Sequence, residues 1–451
     1  SVKRIAVLDR TKEPGALGDP LYLDVVAALA QEGRNIKVIG GRYGLASRDT
    51  QPKHIKSVYD FMKSTKAHTD FTVGINDDVT FKSIPVDEKY HINADYTSCL
   101  FWGLGSDGTV SANKNSIKII GDHTDKYVQA YFQYDSKKSG GVTRSHLRFG
   151  DSPIHSTYYV ENADFISCSL DEYVFKYDML SNLRKGGTFL LNTTFDVDEI
   201  EEKLPNSFKK ALAEKKAKFY IINATEIASK IGMGRRTNTI LQSAFFKLAN
   251  IMPYDEAVNY MKAAAKKSYS KKGDDIVNMN YIAIDKGGKA KRVTVKPEWK
   301  DLVVNPVKKP GISEYFDDYA TEINDLRGYE LPVSAFLKGD LLKGSMESNT
   351  TYNEKRNIAT EVPHWHPENC IQCGNCVIVC PHATIRAFLP TDAEVAAAPE
   401  AGREVIKAMG PGMAEYKYRI QVSPDNCVGC GLCVSECPGK KNLQTGVVMK
   451  A

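Results

Sequence analysis

Eight cysteines near one end of the chain constrain it more than any other feature. Cys370, Cys373, Cys376 and Cys380 are followed by Pro381, and the same pattern returns as Cys427, Cys430, Cys433 and Cys437 followed by Pro438. Both copies read C-x2-C-x2-C-x3-C-P, the spacing of a two-cluster iron–sulfur module in which each fourth cysteine ligates the neighbouring cluster. That rule predicts one [4Fe–4S] cluster on Cys370, Cys373, Cys376 and Cys437, and a second on Cys427, Cys430, Cys433 and Cys380. Three closely spaced thiolates wrap a tight loop around one cubane, while the fourth, just before a proline, turns toward the other. Because C-x2-C pairs also bind zinc, two zinc knuckles are the competing reading. Two identical runs, each ending in Cys-Pro, favour the clusters. His364, His366 and His382 flank the first run and are expected at the surface or around the ligands rather than among them. The pattern predicts an electron carrier.

A chain of 451 residues suggests about three domains at roughly 100–200 residues each. Hydrophobic content of 42% and charged content of 25% are those of a soluble globular protein. No apolar run approaches the ~20 residues needed to span a bilayer. The opening segment, Ser-Val-Lys-Arg-Ile-Ala-Val-Leu-Asp, reads as a strand rather than a signal peptide. Cys99 and Cys168 lie outside the repeats in apolar strand-like segments, where buried reduced thiols are expected. A cytoplasmic or other reducing compartment is therefore expected. The formal charge of +5 makes no case for nucleic acid. It suits either an acidic electron acceptor docking by charge or a solvated lysine-rich surface.

Along the chain, residues 1–85 alternate strand-like runs (Lys3 to Leu8, Ile36 to Gly40) with a helical run from Leu21 to Gln31, an α/β pattern. Beginning directly in a strand, the chain reads as a piece of something longer. From 86 to 290 the alternation is stronger. Thr97 to Trp102, Tyr127 to Tyr134, Ala163 to Leu170, Thr188 to Asn192 and Lys218 to Asn223 read as strands, and Thr237 to Ala249 and Tyr254 to Ser268 as helices. A parallel sheet under helices is expected. Residues 291–360, crowded with lysines and with Pro297, Pro306 and Pro310, read as a linker or irregular small domain. The cysteine module fills 361–451, its motifs separated by 46 residues (381–426) that carry an Ala-rich helical run, Glu394 to Ala401.

Gly103-Leu104-Gly105-Ser106-Asp107-Gly108 lies between a predicted strand and a predicted helix through Ile120. In that setting glycines let backbone approach a ligand closely, and a helix start offers amides to phosphate. Asp135, at the end of the next strand, could take the ribose hydroxyls of a nicotinamide dinucleotide. The same turn continues Ser136-Lys137-Lys138-Ser139-Gly140-Gly141, which favours a phosphate-bearing ligand. Gly232-Met233-Gly234-Arg235-Arg236-Thr237-Asn238 adds guanidinium groups at another helix start. Each could instead be a solvated basic turn. A thiamine diphosphate reading of Asp107-Gly108 is rejected, since Ala130 to Lys138 lacks the Asn that would complete a magnesium site.

Asp9-Arg10-Thr11-Lys12-Glu13-Pro14-Gly15-Ala16, Phe101 to Val110, Tyr134 to Gly141 and Asn353-Glu354-Lys355-Arg356, followed by the doubled cysteine run, closely resemble the single-chain pyruvate:ferredoxin (flavodoxin) oxidoreductases. The resemblance runs over essentially the whole chain in the family's order. It implies an α/β multidomain protein with Rossmann-like parallel-sheet domains. Residues 1–85 would end a transketolase C-terminal-like domain, 86–290 would bind coenzyme A, 291–360 would be the connecting domain with Glu354-Lys355-Arg356, and 361–451 a bacterial-type two-cluster ferredoxin domain. Coenzyme A contacts carry over to Gly103, Gly105, Ser106, Gly108, Lys137, Lys138, Ser139, Arg236 and Asn238. The implied reaction is oxidative decarboxylation of pyruvate to acetyl-CoA and CO2, with electrons passing through the clusters to ferredoxin or flavodoxin. Thiamine diphosphate, Mg2+ and a third [4Fe–4S] cluster belong to flanking domains of the family. The segment alone is expected to be inactive, and the enzyme a homodimer acting on neither membrane nor nucleic acid. Two rivals remain: a non-catalytic electron-transfer module, and a relative that delivers electrons to NADP through a fused flavin domain.

Overall fold

The computed structural model describes residues 2–92, 95–137, 140–306, 308–359, 361–441, 444, 445 and 447–450. Two compact units divide the chain: Ser1–Tyr134 with Thr143–Thr350, and Asp135–Val142 with Thr351–Ala451. Among the described residues no helix is long and apolar enough to cross a membrane.

In the first unit β1 (Arg4–Asp9), β2 (Lys37–Arg42) and the short β3 (Phe71–Thr72) form a parallel sheet in that order. Helices α1 (Pro20–Gln31) and α2 (Pro52–Lys63) each begin on a proline, whose fixed φ and missing N–H suit a first helical turn. Ile39, Val58, Phe71, Val73 and Ile84 make a small core.

The larger sheet is built from β4 (Tyr96–Leu104), β5 (Tyr127–Tyr134), β6 (Val142–Gly150), β7 (Ala163–Cys168), β8 (Leu183–Asn192), β9 (Lys218–Ile222) and β10 (Lys291–Val293). Its order is β10-β9-β8-β7-β4-β6-β5. β4, β7, β8 and β9 run parallel. Their near-continuous apolar runs, such as Cys99-Leu100-Phe101-Trp102, are those of strands covered on both faces. The expected parallel sheet forms the centre, and antiparallel pairs close both edges, β5 with β6 and β10 with β9. β5 shows the reason: Tyr127, Tyr131 and Tyr134 are exposed, so this strand is not covered as the central four are. Between the strands lie α3 (Thr109–His123), α4 (Tyr173–Lys176), α5 (Ile200–Lys203), α6 (Asn206–Glu214), α7 (Ala224–Lys230), α8 (Asn238–Ala249), α9 (Tyr254–Tyr269) and α10 (Asp274–Gly287). Phe101, Phe165, Phe245 and Phe246 meet in the core under α8. Cys99 and Cys168 are fully buried, and burial pushes both thiols well above their ordinary pKa. The stretch expected as a linker therefore begins inside the sheet, at β10. Beyond it, Trp299 is buried, and residues to 350 form short turns and α11 (Thr321–Asn324).

The second unit contains β11 (Val362–Trp365), α12 (Asn375–Ile378), β12 (Ile385–Phe388), α13 (Asp392–Ala397), β13 (Ile406–Lys407), β14 (Lys417–Val422), α14 (Leu432–Ser435), β15 (Lys440–Lys441), β16 (Gln444–Thr445) and β17 (Val447–Lys450). The 46-residue insert (381–426), read as helical around Glu394–Ala401, also carries an antiparallel sheet in the order β12-β14-β13. Its helix starts in a capping box between Thr391 and Glu394 and stops at Ala398, because the residue before a proline, here Pro399, is driven out of the helical region.

Candidate functional site: two thiolate sets and a glycine loop

The two cysteine repeats fold alike. Each places a left-handed residue two positions after its first cysteine (Gln372, φ 58°; Gly429, φ 61°) and a left-handed glycine at a helix start (Gly374 and Gly431, both φ 77°). The amide of Gln372 then reaches Cys370 Sγ at 3.4 Å, and that of Gly429 reaches Cys427 Sγ at 3.3 Å. Gln372 compensates its uncommon backbone with its side chain, which donates to Lys407 O at 2.8 Å and accepts from Met409 N at 3.0 Å. The insert is thus tied to the first cysteine loop.

Cys427, Cys430 and Cys433 from the second repeat and Cys380 from the first line one cavity. The Cys433 thiol is pushed up to about 11 by burial, with Cys430, Cys427 and Cys380 nearby adding to the rise. Cys376 is likewise raised to about 11 by burial, then by Cys370, Cys373, Cys437 and Cys433. Thiols that resist ionisation because they are buried together become favourable thiolates once iron supplies positive charge. Among the described residues no three Cys, His, Asp or Glu side chains form a single-ion site. His382 lines the same cavity with its Nε2 buried and unpartnered, a polar atom that a cluster sulfide would satisfy. Burial, and then Arg356, hold its imidazole below its ordinary pKa. Cys380 is opposite in tendency: burial would raise it, but the Thr384 hydroxyl and the amides of His382, Thr384 and Ile385 outweigh burial and lower it. The residues present fit two iron–sulfur clusters.

In the first unit the glycine loop leaves the carboxyl end of β4, where the strand order reverses. β5 and β6 lie to one side and β7 to the other. Such switch points are where open α/β sheets bind ligands. Asp107 organises the loop: its carboxylate accepts from Leu104 N (2.9 Å), Thr109 N (2.7 Å), Thr109 Oγ1 (2.8 Å) and Ser169 Oγ (2.8 Å). Two amides that a phosphate could have used are committed to this acid. Ser106 is left-handed at φ 75°, and Gly108 at φ 88° leaves no room for a side chain, since a Cβ there would stand 2.9 Å from the Asn238 side chain. The loop and the start of α8 therefore meet, with Arg236 exposed two residues before Asn238.

Lys137 belongs to the other unit. It pairs with Glu354, both side chains being mostly buried, and a Cβ on Gly140 would collide with Ile358. Amides of Arg356 and Asn357 both donate to Asp425 O at 2.9 Å. The lysine turn thus packs on the Glu354-Lys355-Arg356 segment. Lys138 and Ser139 lie outside the described residues. Asp135 follows the last residue of β5 and opens the segment of the second unit that carries Lys137, its amide donating to Val142 O at 3.0 Å. Sequence reasoning missed the roles of Asp107, Gln372, Glu354 and Thr384. A carboxylate inside the glycine motif and a hydroxyl four residues after Cys380 were visible signals.

An α/β sheet with a glycine loop at its switch point, joined in one chain to a doubled thiolate module, defines an iron–sulfur protein. Residues 98–290 match the pyruvate ferredoxin/flavodoxin oxidoreductase family, and residues 369–441 match the 4Fe-4S dicluster domain. The chain is 50% identical to pyruvate:ferredoxin oxidoreductase of Moorella thermoacetica over 100% of its own length and 38% of that protein's. It is 49% identical to pyruvate-flavodoxin oxidoreductase of Enterobacter agglomerans, covering 98% of this chain and 37% of that one. A mitochondrial pyruvate dehydrogenase [NADP(+)] of Euglena gracilis is 45% identical, with 97% and 24% covered. The chain corresponds to the central portion of the single-chain pyruvate:ferredoxin and pyruvate-flavodoxin oxidoreductases and spans less than two fifths of the length of these relatives.

Proposed function

We propose that this chain is the coenzyme A-binding and electron-relay middle of a 2-oxoacid oxidoreductase acting on pyruvate. In the overall reaction pyruvate and CoA give acetyl-CoA, CO2, two electrons and one proton. The clusters supply one-electron steps toward ferredoxin or flavodoxin. Cys370, Cys373, Cys376 and Cys437 hold one cluster, and Cys427, Cys430, Cys433 and Cys380 the other. Supporting this crossed arrangement is the cavity that Cys380 shares with the second repeat. The observation that carries the functional reading is the union, in one chain, of that doubled thiolate set with a glycine loop at a sheet switch point.

Coenzyme A binding is assigned to Gly103, Gly105, Ser106 and Gly108 with Arg236 and Asn238, and to the turn of Lys137, Lys138 and Ser139. Contact of Asn238 with Gly108 supports the first group. The ion pair of Lys137 with Glu354 means that a phosphate at Lys137 competes with a carboxylate. Thiamine diphosphate, Mg2+ and a third cluster are assigned to the remainder of the relatives' length, and the chain to a reducing compartment. Supplied with pyruvate, CoA and thiamine diphosphate, the isolated chain should make no acetyl-CoA. Reduced chemically, it should still pass electrons to ferredoxin or flavodoxin. Acetyl-CoA formed by these residues alone would sink the assignment. The Euglena relative favours a second reading, delivery to NADP through a further domain; the parent gene's flanking sequence decides between them.

A further inference from the structure

The two cysteine repeats, matched in spacing and backbone up to their last cysteine, diverge immediately beyond it. After Cys380 come Pro381, His382, Ala383 and Thr384; after Cys437 come Pro438, Gly439, Lys440 and Lys441. Ala383 is left-handed at φ 51°, a conformation that an L-residue adopts only at a cost. The next residue, Thr384, stands with its amide 3.3 Å and its Oγ1 3.2 Å from Cys380 Sγ. Thr384 is 3% exposed, and its carbonyl accepts from Ser423 N at 2.8 Å, so the hydroxyl is held by the insert. A thiolate on iron has no proton to give. In a loaded site the hydroxyl can only donate and the sulfur accept. Lys441, the residue in the corresponding position of the second repeat, has no hydroxyl to offer.

We propose that Thr384 is a potential-setting residue: its O–H···S bond to Cys380 raises the reduction potential of the cluster that Cys380 ligates and makes two otherwise matched clusters unequal. Reduction adds one electron to that cluster, with no covalent bond made or broken and no proton moved. The added charge is shared by the ligand sulfurs, and a donor aimed at one of them stabilises the reduced form more than the oxidised.

This inference rests on the reading of Cys380 as a ligand, and the two can fail separately. Redox titration of the cluster-loaded chain, monitored by electron paramagnetic resonance, compares Thr384→Val, which removes the hydroxyl, with Thr384→Ser, which keeps one. In fully loaded Thr384→Val one cluster should become harder to reduce. At a fixed ambient potential its reduced-to-oxidised ratio should drop about tenfold, a shift of about 59 mV for one electron. The other cluster, and both clusters of Thr384→Ser, should titrate as in the unsubstituted chain. Unchanged potentials in Thr384→Val, or an equal drop in Thr384→Ser, overturn the proposal. Should the valine disturb loading, Thr384→Ala makes the same comparison with a smaller side chain. Two intact clusters in Cys380→Ser would instead remove the ligand reading beneath it.

Discussion

Phe101, Phe165, Phe245 and Phe246 meet in tilted and edge-on pairs at the centre of the large sheet's core, with Ile120, Leu190 and Ile240 buried around them. The equivalent place in the cysteine-bearing unit is shared by Trp365, Ile385, Tyr418 and Ile420 with two of the predicted iron ligands, Cys376 and Cys433. One region supplies its own apolar core. The other includes the ligands in its core, where burial favours the neutral thiols and the thiolates become favourable only when a metal supplies positive charge. Stability in the first should follow ordinary packing rules, whereas in the second folding and cluster binding should be coupled.

Removing iron should therefore separate the regions most sharply. With the clusters stripped by chelation under reducing conditions, amides of β12 and β14 should lose protection from hydrogen exchange, while those of β4, β7 and β8 keep theirs. Uniform loss, or none, would break the comparison. Next in size, Cys380→Ser should abolish one cluster signal, and it should be the signal lost in Cys430→Ser, not the one lost in Cys373→Ser. Loss of the Cys373 signal would mean that ligation is not crossed. Phe245→Ala is the converse experiment on the sheet. Emptying that position should cost about 3–5 kcal/mol in denaturant unfolding and leave both cluster spectra unchanged. The smallest effect concerns binding alone. Arg236→Ala should weaken CoA by about 1–3 kcal/mol in calorimetry without altering stability, because Arg236 is exposed. Tight NAD binding with no response to CoA would restore the ribose reading of Asp135.

Much of this was legible in local sequence. Strands such as Tyr127–Tyr134, and helices such as Asn238–Ala249, followed from apolar periodicity. Other parts were hidden because their cause is distant in the chain. β6 was missed, although it separates β5 from β4. Residues 291–293 looked like a basic linker, yet they pair with β9. The insert's sheet was masked by an alanine-rich stretch, and its attachment through Gln372 to Lys407 and Met409 spans more than thirty residues.

By itself the sequence determined the two cysteine runs and the α/β character, because cysteine spacing and hydrophobic period act over a few residues and survive any arrangement of the rest. Only the tertiary structure decided what the polar groups of these motifs face. Lys137 meets Glu354, 217 residues away, rather than water. Asp107 fills its own loop with help from Ser169 at the end of another strand, and Asn238 closes on Gly108 from the start of a distant helix. A charge or a hydroxyl is chemically the same wherever it stands in a sequence. Its partner is whichever group the folded chain brings within hydrogen-bonding reach, and for these residues that partner comes from a remote segment.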